Sequence, residues 1–278
     1  MNEAFAPAKI NLTLHVTGQR NDGYHLLDSL VVFADIGDRL TFEADADLTL
    51  TVTGPNAQGV PVDDSNLVLR AARMVDANLG AKITLVKTLP TAAGIGGGSS
   101  NAAATLKALG QMWAKPLPSN PEWLGADVPV CLRGRATRMQ GIGEQLSDAP
   151  DLPPAWLVLV NPGVSVPTPA VFKKLVQKTN APMPKTLPAF ASATAFSDWL
   201  GSMRNDLQDA AISLEPVIGT ALSALRATDG CLLARMSGSG ATCWGMFGDA
   251  QSAAQAAACI QQTHPNWWVV SSEIRAFS

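Results

Sequence analysis

Pro90-Thr91-Ala92-Ala93-Gly94-Ile95-Gly96-Gly97-Gly98-Ser99-Ser100-Asn101 is the stretch of this chain that says most about its fold and chemistry. Four glycines in five positions leave the backbone uncovered, so successive N–H groups can close around an anion. An Ala-rich helix of about fifteen residues is predicted to follow, and unpaired N–H groups at a helix N-terminus favour phosphate. A flexible Gly/Ser linker is the alternative, but a linker would not run directly into a strong helix. The stretch therefore predicts a phosphate-binding loop.

Two familiar nucleotide motifs do not describe this loop. No Gly-Lys-Ser/Thr follows it, so it is not a Walker A loop, and Ser99 stands where a dinucleotide fingerprint needs its third glycine.

The composition excludes several classes of protein. Apolar residues make up 47% of the 278 residues and charged residues 15%, against about 25% charged in a typical domain. This balance predicts a folded chain with buried strands. The net charge of -3 opposes nucleic-acid binding through phosphate neutralisation. The four cysteines show no metal-ligand spacing, and the apolar runs are shorter than the roughly 20 residues of a membrane span. We expect a cytoplasmic protein that acts on small molecules and has no membrane partner.

Strand patterns dominate the chain before the loop. Residues 8–16 alternate between an apolar face and a polar face that carries Lys9, Asn11, Thr13 and His15. The turn Asn21-Asp22-Gly23 and a strand over 26–36 complete a predicted antiparallel hairpin. Further strands are predicted over 39–44, 48–53 and 83–86. Helical spacing is predicted over 66–79, with Gly80 as its C-cap.

The second half repeats the order of strands before helices. Strands are predicted over 156–160 and 241–247, helices over 216–228 and 250–262, and a proline-rich loop over 182–188. Ser237-Gly238-Ser239-Gly240 lies between two apolar strands, where Ser/Gly turns are also ordinary connections. This order predicts an α+β fold of two units instead of one doubly wound sheet. We place the boundary at the prolines near 150–154, giving domains 1–152 and 153–278.

Individual side chains leave alternatives open at this point. Lys9 is either a functional cation or a routine lysine on a solvated face. Asp127 is the single carboxylate of an uncharged run and could be an N-cap before Pro129. Tyr24 and His25 follow the turn directly, so they either anchor the hairpin or stack on and read the edge of a flat base.

Five separated motifs resemble the GHMP kinase family. They are Ala6-Pro-Ala-Lys9-Ile-Asn11-Leu, Asp22-Gly-Tyr-His25, Pro90 to Ala102, Leu124-Gly-Ala-Asp127-Val-Pro129 and Ser237-Gly-Ser-Gly240. The resemblance spans nearly the whole chain. The first three motifs are typical of the branch that acts in the non-mevalonate isoprenoid precursor pathway.

The resemblance implies a fold, a reaction and a set of site residues. The N-terminal domain is expected to be ribosomal protein S5-like and the C-terminal domain ferredoxin-like, with the active site between them. The reaction implied is transfer of the γ-phosphoryl group of ATP to the 2-hydroxyl of a CDP-linked methylerythritol. Asp127 would be the base that takes the hydroxyl proton, and Lys9 the cation that holds Asp127 ionised and polarises the attacking oxygen. Positioning and charge stabilisation supply most of the catalysis in such transfers.

The binding residues are also carried over from the family. The nucleotide site is expected to comprise Asn66 for adenine and, for the triphosphate, Thr91, Ala92, Ala93, Gly94, Ile95, Gly96, Gly97, Gly98, Ser99, Ser100 and Asn101. The substrate site is expected to comprise Asn11 at the methylerythritol end, and Tyr24 and His25 around the cytosine, with Phe172 as the opposite face of the stack. Thr168 and Gly238 are also expected to bind the substrate. Mg²⁺ is expected with ATP, held by water, phosphate oxygens and Ser100, with no acidic ligand assigned. The protein is expected to be a monomer or a weak homodimer.

Two departures from the family pattern affect these expectations. The segment between Asn101 and Asp127 is short and contains three prolines, so a helix there is expected to be lost or trimmed. The loop opens with Thr91-Ala92-Ala93 instead of more glycines, which is tolerable if these positions avoid positive φ. Two alternatives remain: a GHMP kinase for another small alcohol, and a non-catalytic S5-like nucleic-acid-binding module.

Overall fold

A computed structural model describes residues 2–275 and divides the chain into two compact units. Unit 1 contains the chain up to Lys9, Ile36–Thr91 and Gly96–Gly134. Unit 2 contains Ile10–Asp35, Ala92–Ile95 and the chain from Arg135 onward. The predicted division into continuous domains 1–152 and 153–278 stays a prediction, because these units are discontinuous along the sequence.

The elements follow one another in this order along the chain: β1 (Asn2–Asn11), β2 (His15–Gln19), β3 (His25–Asp45), β4 (Leu48–Thr53), α1 (Leu67–Val75), β5 (Gly80–Val86), α2 (Gly97–Met112), a 3₁₀ turn (Pro121–Trp123), α3 (Val128–Arg133), β6 (Thr137–Gly141), β7 (Gln145–Asp148), β8 (Trp156–Asn161), α4 (Thr168–Lys174), α5 (Ala193–Gly201), α6 (Gln208–Leu214), α7 (Val217–Arg226), β9 (Leu233–Met236), β10 (Cys243–Phe247), α8 (Ala250–Thr263) and β11 (Trp268–Glu273). None of the helices in this described part is long and apolar enough to cross a membrane.

In unit 1, α1 and α2 cover one face of a sheet. β5 pairs antiparallel with residues 39–45 of β3 and parallel with β4. Alternate residues of β5, such as Ile83 and Leu85, are fully buried and pack with Val68 of α1 and Leu109 of α2. This period-two burial is what a sheet with one covered face requires.

Unit 2 has its own antiparallel sheet, in the strand order β11-β8-β10-β9. Apolar residues of α7 and α8, including Ile218, Leu222 and Ile260, form one core with residues of this sheet. Residues 25–31 of β3 pair with β2 and β6 in the same unit. The chain turns tightly between β2 and β3 at Gly23, whose φ is +91°, so the predicted hairpin is confirmed.

Four local predictions differ from the structure. β3 is one continuous strand where two were predicted. α1 ends at Val75, and Gly80 begins β5 instead of capping the helix. The strand predicted over 8–16 is interrupted, because the Thr13 hydroxyl accepts the N–H of Leu30 where a regular ladder would use a carbonyl. The polar face of that strand is not solvated: Lys9, Asn11, Thr13 and His15 are all at most 4% exposed.

Candidate active site

The phosphate-loop stretch leads into α2 without a cap. Gly96 is left-handed at φ +64°, α2 begins at Gly97, and no side chain of the described residues caps this end. Ser100 N–H donates to the Gly96 carbonyl, so the N–H groups of Gly97 to Ser99 are the orphan donors of the first turn. A backbone in this state can bind an anion.

The part of the loop in unit 2, Ala92–Ile95, packs directly on Ser237–Gly240. The Ser237 hydroxyl donates to the Gly94 carbonyl at 3.0 Å, and Thr242 N–H donates to the Ala93 carbonyl at 3.1 Å. A Cβ at Gly94 would lie 2.6 Å from the carbonyl oxygens of Ser237 and Gly240. Backbone-to-backbone contact therefore requires glycine here, and Ser237–Gly240 is more than an ordinary strand connection.

The Asn205 side chain holds the backbone of the second glycine segment, Ser237–Gly240. Its side-chain amide donates to the carbonyls of Met236 and Gly238 at 2.8 and 2.9 Å, and its oxygen accepts Leu207 N–H. The side chain is buried, so these bonds are shielded from water. Gly238 in turn has φ +56°, and a Cβ there would lie 2.8 Å from the Gly94 oxygen.

Lys9 and Asp127, predicted to act together, are in contact in unit 1. Lys9 Nζ lies 2.9 Å from Asp127 Oδ2, with the Lys9 side chain 4% exposed and that of Asp127 32% exposed. Asp127 stands at the N-cap position of α3, but its side chain makes no capping bond. The predicted N-cap position is therefore confirmed, but the Asp127 side chain does not cap the helix. Gly96 lies over the lysine, since a Cβ there would be 3.0 Å from Lys9 Cβ and Cε.

The three polar residues of the first α2 turns differ in what they can offer a ligand. The Ser100 hydroxyl is buried and donates to the Pro7 carbonyl at 2.7 Å. It also lies 3.4 Å from Cys131 Sγ, and burial raises the pKa of that thiol to about 12. Asn101 is buried with its Oδ1 unpaired among the described residues. Ser99 is half-buried.

The residues predicted to hold the pyrimidine meet in unit 2. The His25 and Phe172 rings stack at 4.6 Å with an interplanar angle of 21°. Tyr24 is 61% exposed beside them in sequence. Thr168, one turn before Phe172 on α4, shares a 2.7 Å hydrogen bond with Ser239. α4 thus connects the aromatic pair to the second glycine segment.

His25 is held in a neutral form near pH 7. Burial, and to a smaller extent the charge of Lys178, lower the pKa of His25 below its usual value. Its Nε2 is buried and has no hydrogen-bond partner in the described part of the chain.

Asn11 and Asn66 are both engaged by the fold. Asn11 is buried; its amide donates to Ser29 Oγ at 2.8 Å and its N–H to Ser237 Oγ at 3.0 Å. Asn66 caps α1 by accepting Val68 N–H and donates to the Pro61 carbonyl. Their expected contacts with methylerythritol and adenine stay predictions.

The structure also bears on the two departures from the family pattern, the short segment before Asp127 and the alanines that open the loop. Between α2 and α3 the chain forms one 3₁₀ turn, Pro121–Trp123, and no α-helix. That a helix of the family is lost or trimmed here stays a prediction. Ala92 has φ +50°, so the loop does require positive φ at one of its alanines.

Sequence reasoning missed a buried ion pair next to the loop. Lys87 Nζ lies 2.8 Å from Asp38 Oδ2, and both side chains are at most 5% exposed. Asn205 was missed as well. The position of Lys87 directly before the loop was a usable signal. Asp38 is about 50 residues from Lys87, Thr88 and Leu89, and Asn205 is more than 30 residues from Met236 and Gly238, so local sequence patterns mark neither residue.

Within residues 2–275, no group of three or more His, Cys, Asp or Glu side chains is arranged to hold a metal ion. The Ser100 hydroxyl, expected as a magnesium ligand, donates its proton to the Pro7 carbonyl, which leaves oxygen lone pairs that could coordinate a cation. The role of Ser100 as a magnesium ligand stays a prediction.

Two family models match the chain. The model for the N-terminal domain of GHMP kinases matches residues 66–135, and that for their C-terminal domain matches residues 186–266. The chain belongs to the GHMP kinase family. The predicted α+β fold class with two family domains, and the prediction of a small-molecule kinase, are thereby confirmed.

Comparison with named proteins shows which branch of the family this chain is most similar to among those compared. The 4-diphosphocytidyl-2-C-methyl-D-erythritol kinase of Cereibacter sphaeroides (strain ATCC 17025 / ATH 2.4.3) is 60% identical over 97% of this chain and 98% of its own length. The kinase of the same name from Dinoroseobacter shibae is 59% identical over 98% and 94%. A crystal structure of 4-(cytidine 5'-diphospho)-2C-methyl-D-erythritol kinase superposes with a TM-score of 0.79 at 32% identity, covering 99% of this chain and all of the other.

Proposed function

We propose that this protein transfers the γ-phosphoryl group of ATP to the 2-hydroxyl of 4-diphosphocytidyl-2-C-methyl-D-erythritol, giving the 2-phosphate and ADP, in the non-mevalonate isoprenoid precursor pathway. The names of relatives about 60% identical support the substrate. The observation that carries the chemistry is the Lys9–Asp127 pair, with the glycine-rich loop in contact with Lys9 at Gly96.

The glycine-rich loop is proposed to cradle the triphosphate. The N–H groups of Gly97 to Ser99 have no side-chain cap, so an anion can take the place of the missing acceptors. Thr91 and Ala92 are exposed, and Gly94 is held on Ser237. A cradle that is fixed before ATP arrives needs little reorganisation during the transfer.

Asp127 is proposed to accept the proton of the attacking hydroxyl. The alcohol O–H bond breaks and its proton passes to a carboxylate oxygen of Asp127. The alcohol oxygen then bonds to the γ-phosphorus, and the bond from that phosphorus to the β–γ bridging oxygen breaks to release ADP. Lys9 orients the carboxylate through Oδ2 and contributes positive charge beside the attacking oxygen. A positioned base contributes about 10²- to 10⁴-fold.

The cytidine end is proposed to bind at Tyr24, His25 and Phe172. Two of these side chains offer aromatic faces, and the unpaired Nε2 of neutral His25 can accept a hydrogen bond from the amino group of cytosine. Thr168 and Gly238 would flank the diphosphate and Asn11 the methylerythritol end.

Three further expectations belong to this proposal. ATP, carrying magnesium on its phosphates, is the phosphoryl donor. The substrates are soluble phosphorylated metabolites, which favours a cytoplasmic enzyme. A monomer or weak homodimer remains our expectation for the oligomeric state.

A coupled ADP-release assay tests the proposal. The wild type is assayed with Mg-ATP and the CDP-linked substrate, beside Asp127→Asn and the matched control Asp151→Asn, which changes an exposed carboxylate. Turnover by the wild type and the control, with loss by orders of magnitude in Asp127→Asn, is the expected result. If ATP binds but this substrate is not turned over, the substrate is wrong, and protection against thermal unfolding by cytidine nucleotides would then separate a cytidine site from a site for another small alcohol.

A further inference from the structure

The buried Asp38–Lys87 pair touches both ends of the phosphate loop in unit 1. Lys87 directly follows β5, and its ammonium donates to Asp38 at 2.8 Å and to the Leu89 carbonyl at 2.5 Å. Leu89 is the last residue before the loop stretch. The same ammonium lies 3.4 Å from the point where a Gly97 Cβ would be, at the first residue of α2.

Asp38 is saturated by the segment that enters the loop. Its Oδ1 accepts the N–H groups of Thr88 and Leu89 at 2.7 and 2.8 Å, while Oδ2 accepts the ammonium. The carboxylate is fully buried. One oxygen of this buried carboxylate therefore fixes the backbone of Thr88 and Leu89, and the other holds the Lys87 side chain at the entry to the loop.

The backbone around Lys87 is fixed independently of its side chain. Lys87 N–H donates to the Thr53 carbonyl, and the Lys87 carbonyl accepts Asn56 N–H. The Asn56 amide also donates to the Thr88 carbonyl at 2.6 Å. With the backbone held in this way, the lysine side chain is not required to keep the strand in place. Its ammonium instead bonds to the Leu89 carbonyl and lies beside Gly97.

We propose that Lys87, held by Asp38, is a positioning residue for the nucleotide phosphates: its ammonium sets the separation between Leu89 and Gly97, and thereby the direction of the N–H groups at the start of α2. This inference rests on the proposed function of the loop as the ATP cradle. A shift of the helix start by a fraction of an ångström would misdirect donors that act as a group, and misplacements of about 1 Å cost catalysis roughly 10²-fold.

Lys87→Met tests the proposal, because methionine keeps an unbranched side chain, one atom shorter than that of lysine, without the charge. The control is Lys82→Met, which removes an exposed lysine from the outer face of β5. We expect Lys87→Met to raise KM for ATP by at least about tenfold, with KM for the CDP-linked substrate changed by less than about twofold. Lys82→Met should change neither constant.

The double variant Asp38→Asn/Lys87→Met separates positioning from simple charge compensation. Removing both charges relieves the unpaired buried carboxylate that Lys87→Met alone leaves. We expect the double variant to regain thermal stability while KM for ATP stays raised. Recovery of both stability and KM would show that Lys87 only neutralises Asp38, and would overturn the proposal.

The outcomes distinguish this inference from the proposed function. Absence of ATP-dependent turnover by the wild type contradicts the proposed function. Normal wild-type turnover with an unchanged KM for ATP in Lys87→Met contradicts the positioning role alone. If Lys87→Met does not fold, Lys87→Gln, which keeps a donor for the Leu89 carbonyl, is assayed by the same criteria below its unfolding temperature.

Discussion

The two Lys–Asp pairs of unit 1 in which the lysine is buried have nearly equal lengths but different surroundings. Lys9 and Asp127 are 2.9 Å apart, and Lys87 and Asp38 are 2.8 Å apart. Asp38 is fully buried and both of its oxygens accept hydrogen bonds, whereas the Asp127 side chain is 32% exposed and, among residues 2–275, only its Oδ2 has a partner. The partial exposure of Asp127 fits its proposed role of taking a proton from a ligand. The buried Asp38 carboxylate instead holds the Lys87 ammonium and the N–H groups of Thr88 and Leu89.

Asp127→Asn should give the largest difference between the two pairs, through its effect on kcat. The amide keeps the shape of the carboxylate but cannot accept the hydroxyl proton. We expect kcat to fall by about 10²- to 10⁴-fold. The free energy of unfolding should fall less than in Asp38→Asn, because the Asp127 side chain is 32% exposed whereas Asp38 is fully buried. Steady-state kinetics and urea unfolding of the same preparation measure both. A variant that retains more than a tenth of the wild-type kcat would remove Asp127 from the role of base.

Asp38→Asn should act mainly on the free energy of unfolding. The remaining oxygen can still accept the N–H groups of Thr88 and Leu89, but the Lys87 ammonium is left buried without its counter-ion. Breaking a buried pair in this way costs about 3–5 kcal/mol. We expect urea unfolding to show a loss of that size, larger than the loss in Asp127→Asn. Equal losses in the two variants would mean that burial does not distinguish the pairs.

Alanine substitutions at two neighbouring glycines probe each pair from the loop side. An alanine at Gly96 must adopt φ +64° and would place its Cβ 3.0 Å from Lys9. An alanine at Gly97 has an ordinary helical backbone, and its Cβ would be 3.4 Å from Lys87 Nζ. We expect Gly96→Ala to lower kcat/KM by about 10- to 100-fold and Gly97→Ala to raise KM for ATP by only about 2- to 5-fold. A larger defect in Gly97→Ala would contradict the assignment of Lys9 as the more sensitive neighbour.

The sequence predicted the Lys9–Asp127 pair but not the Lys87–Asp38 pair. Lys9 and Asp127 both lie in motifs that resemble the family, so their contact could be anticipated without a structure. The Asp38–Lys87 contact joins residues 49 positions apart, and nothing in the composition near Asp38 marks it. Long-range contacts between side chains depend on how strands are paired, which local patterns do not specify. The same reason explains why Asn205 was missed while Ser237–Gly240 was found.

The predicted boundaries of two elements are wrong, because a side chain or a neighbouring strand determines where each element ends. The apolar alternation of 8–16 continues through Thr13, yet the Thr13 hydroxyl bonds to Leu30 and the strand is broken. The period of 66–79 continues past Val75, yet the helix ends there and Gly80 joins a sheet. In both places the sequence predicts the type of element correctly, and a tertiary contact determines its length.

The pH dependence of the two Michaelis constants should show that the cytidine residues act separately from either ion pair. The pKa of His25 lies below its usual value because of burial, so the ring is neutral near pH 7. It becomes charged as the pH falls through that lowered pKa. We expect KM for the CDP-linked substrate to rise several-fold between roughly pH 7 and pH 5, because the imidazolium cannot accept a hydrogen bond at Nε2. KM for ATP should change less over the same range, and His25→Gln should remove the difference between the two profiles. Parallel profiles in the wild type would contradict the role of His25.

Ala92→Gly should give the smallest effect, and it tests the loop at a position without a lysine contact. Ala92 has φ +50°, a conformation that costs an L-residue about 1–2 kcal/mol. Glycine removes this cost but loses about 0.5–1 kcal/mol through the greater freedom of the unfolded chain. We therefore expect the free energy of unfolding to rise by no more than about 1.5 kcal/mol, measured by urea unfolding, with KM for ATP unchanged within about twofold. A large rise in KM for ATP would mean that the rigidity of residues 91–93 is itself needed to hold the phosphates, so that the loop would depend on its alanines as well as on Lys87.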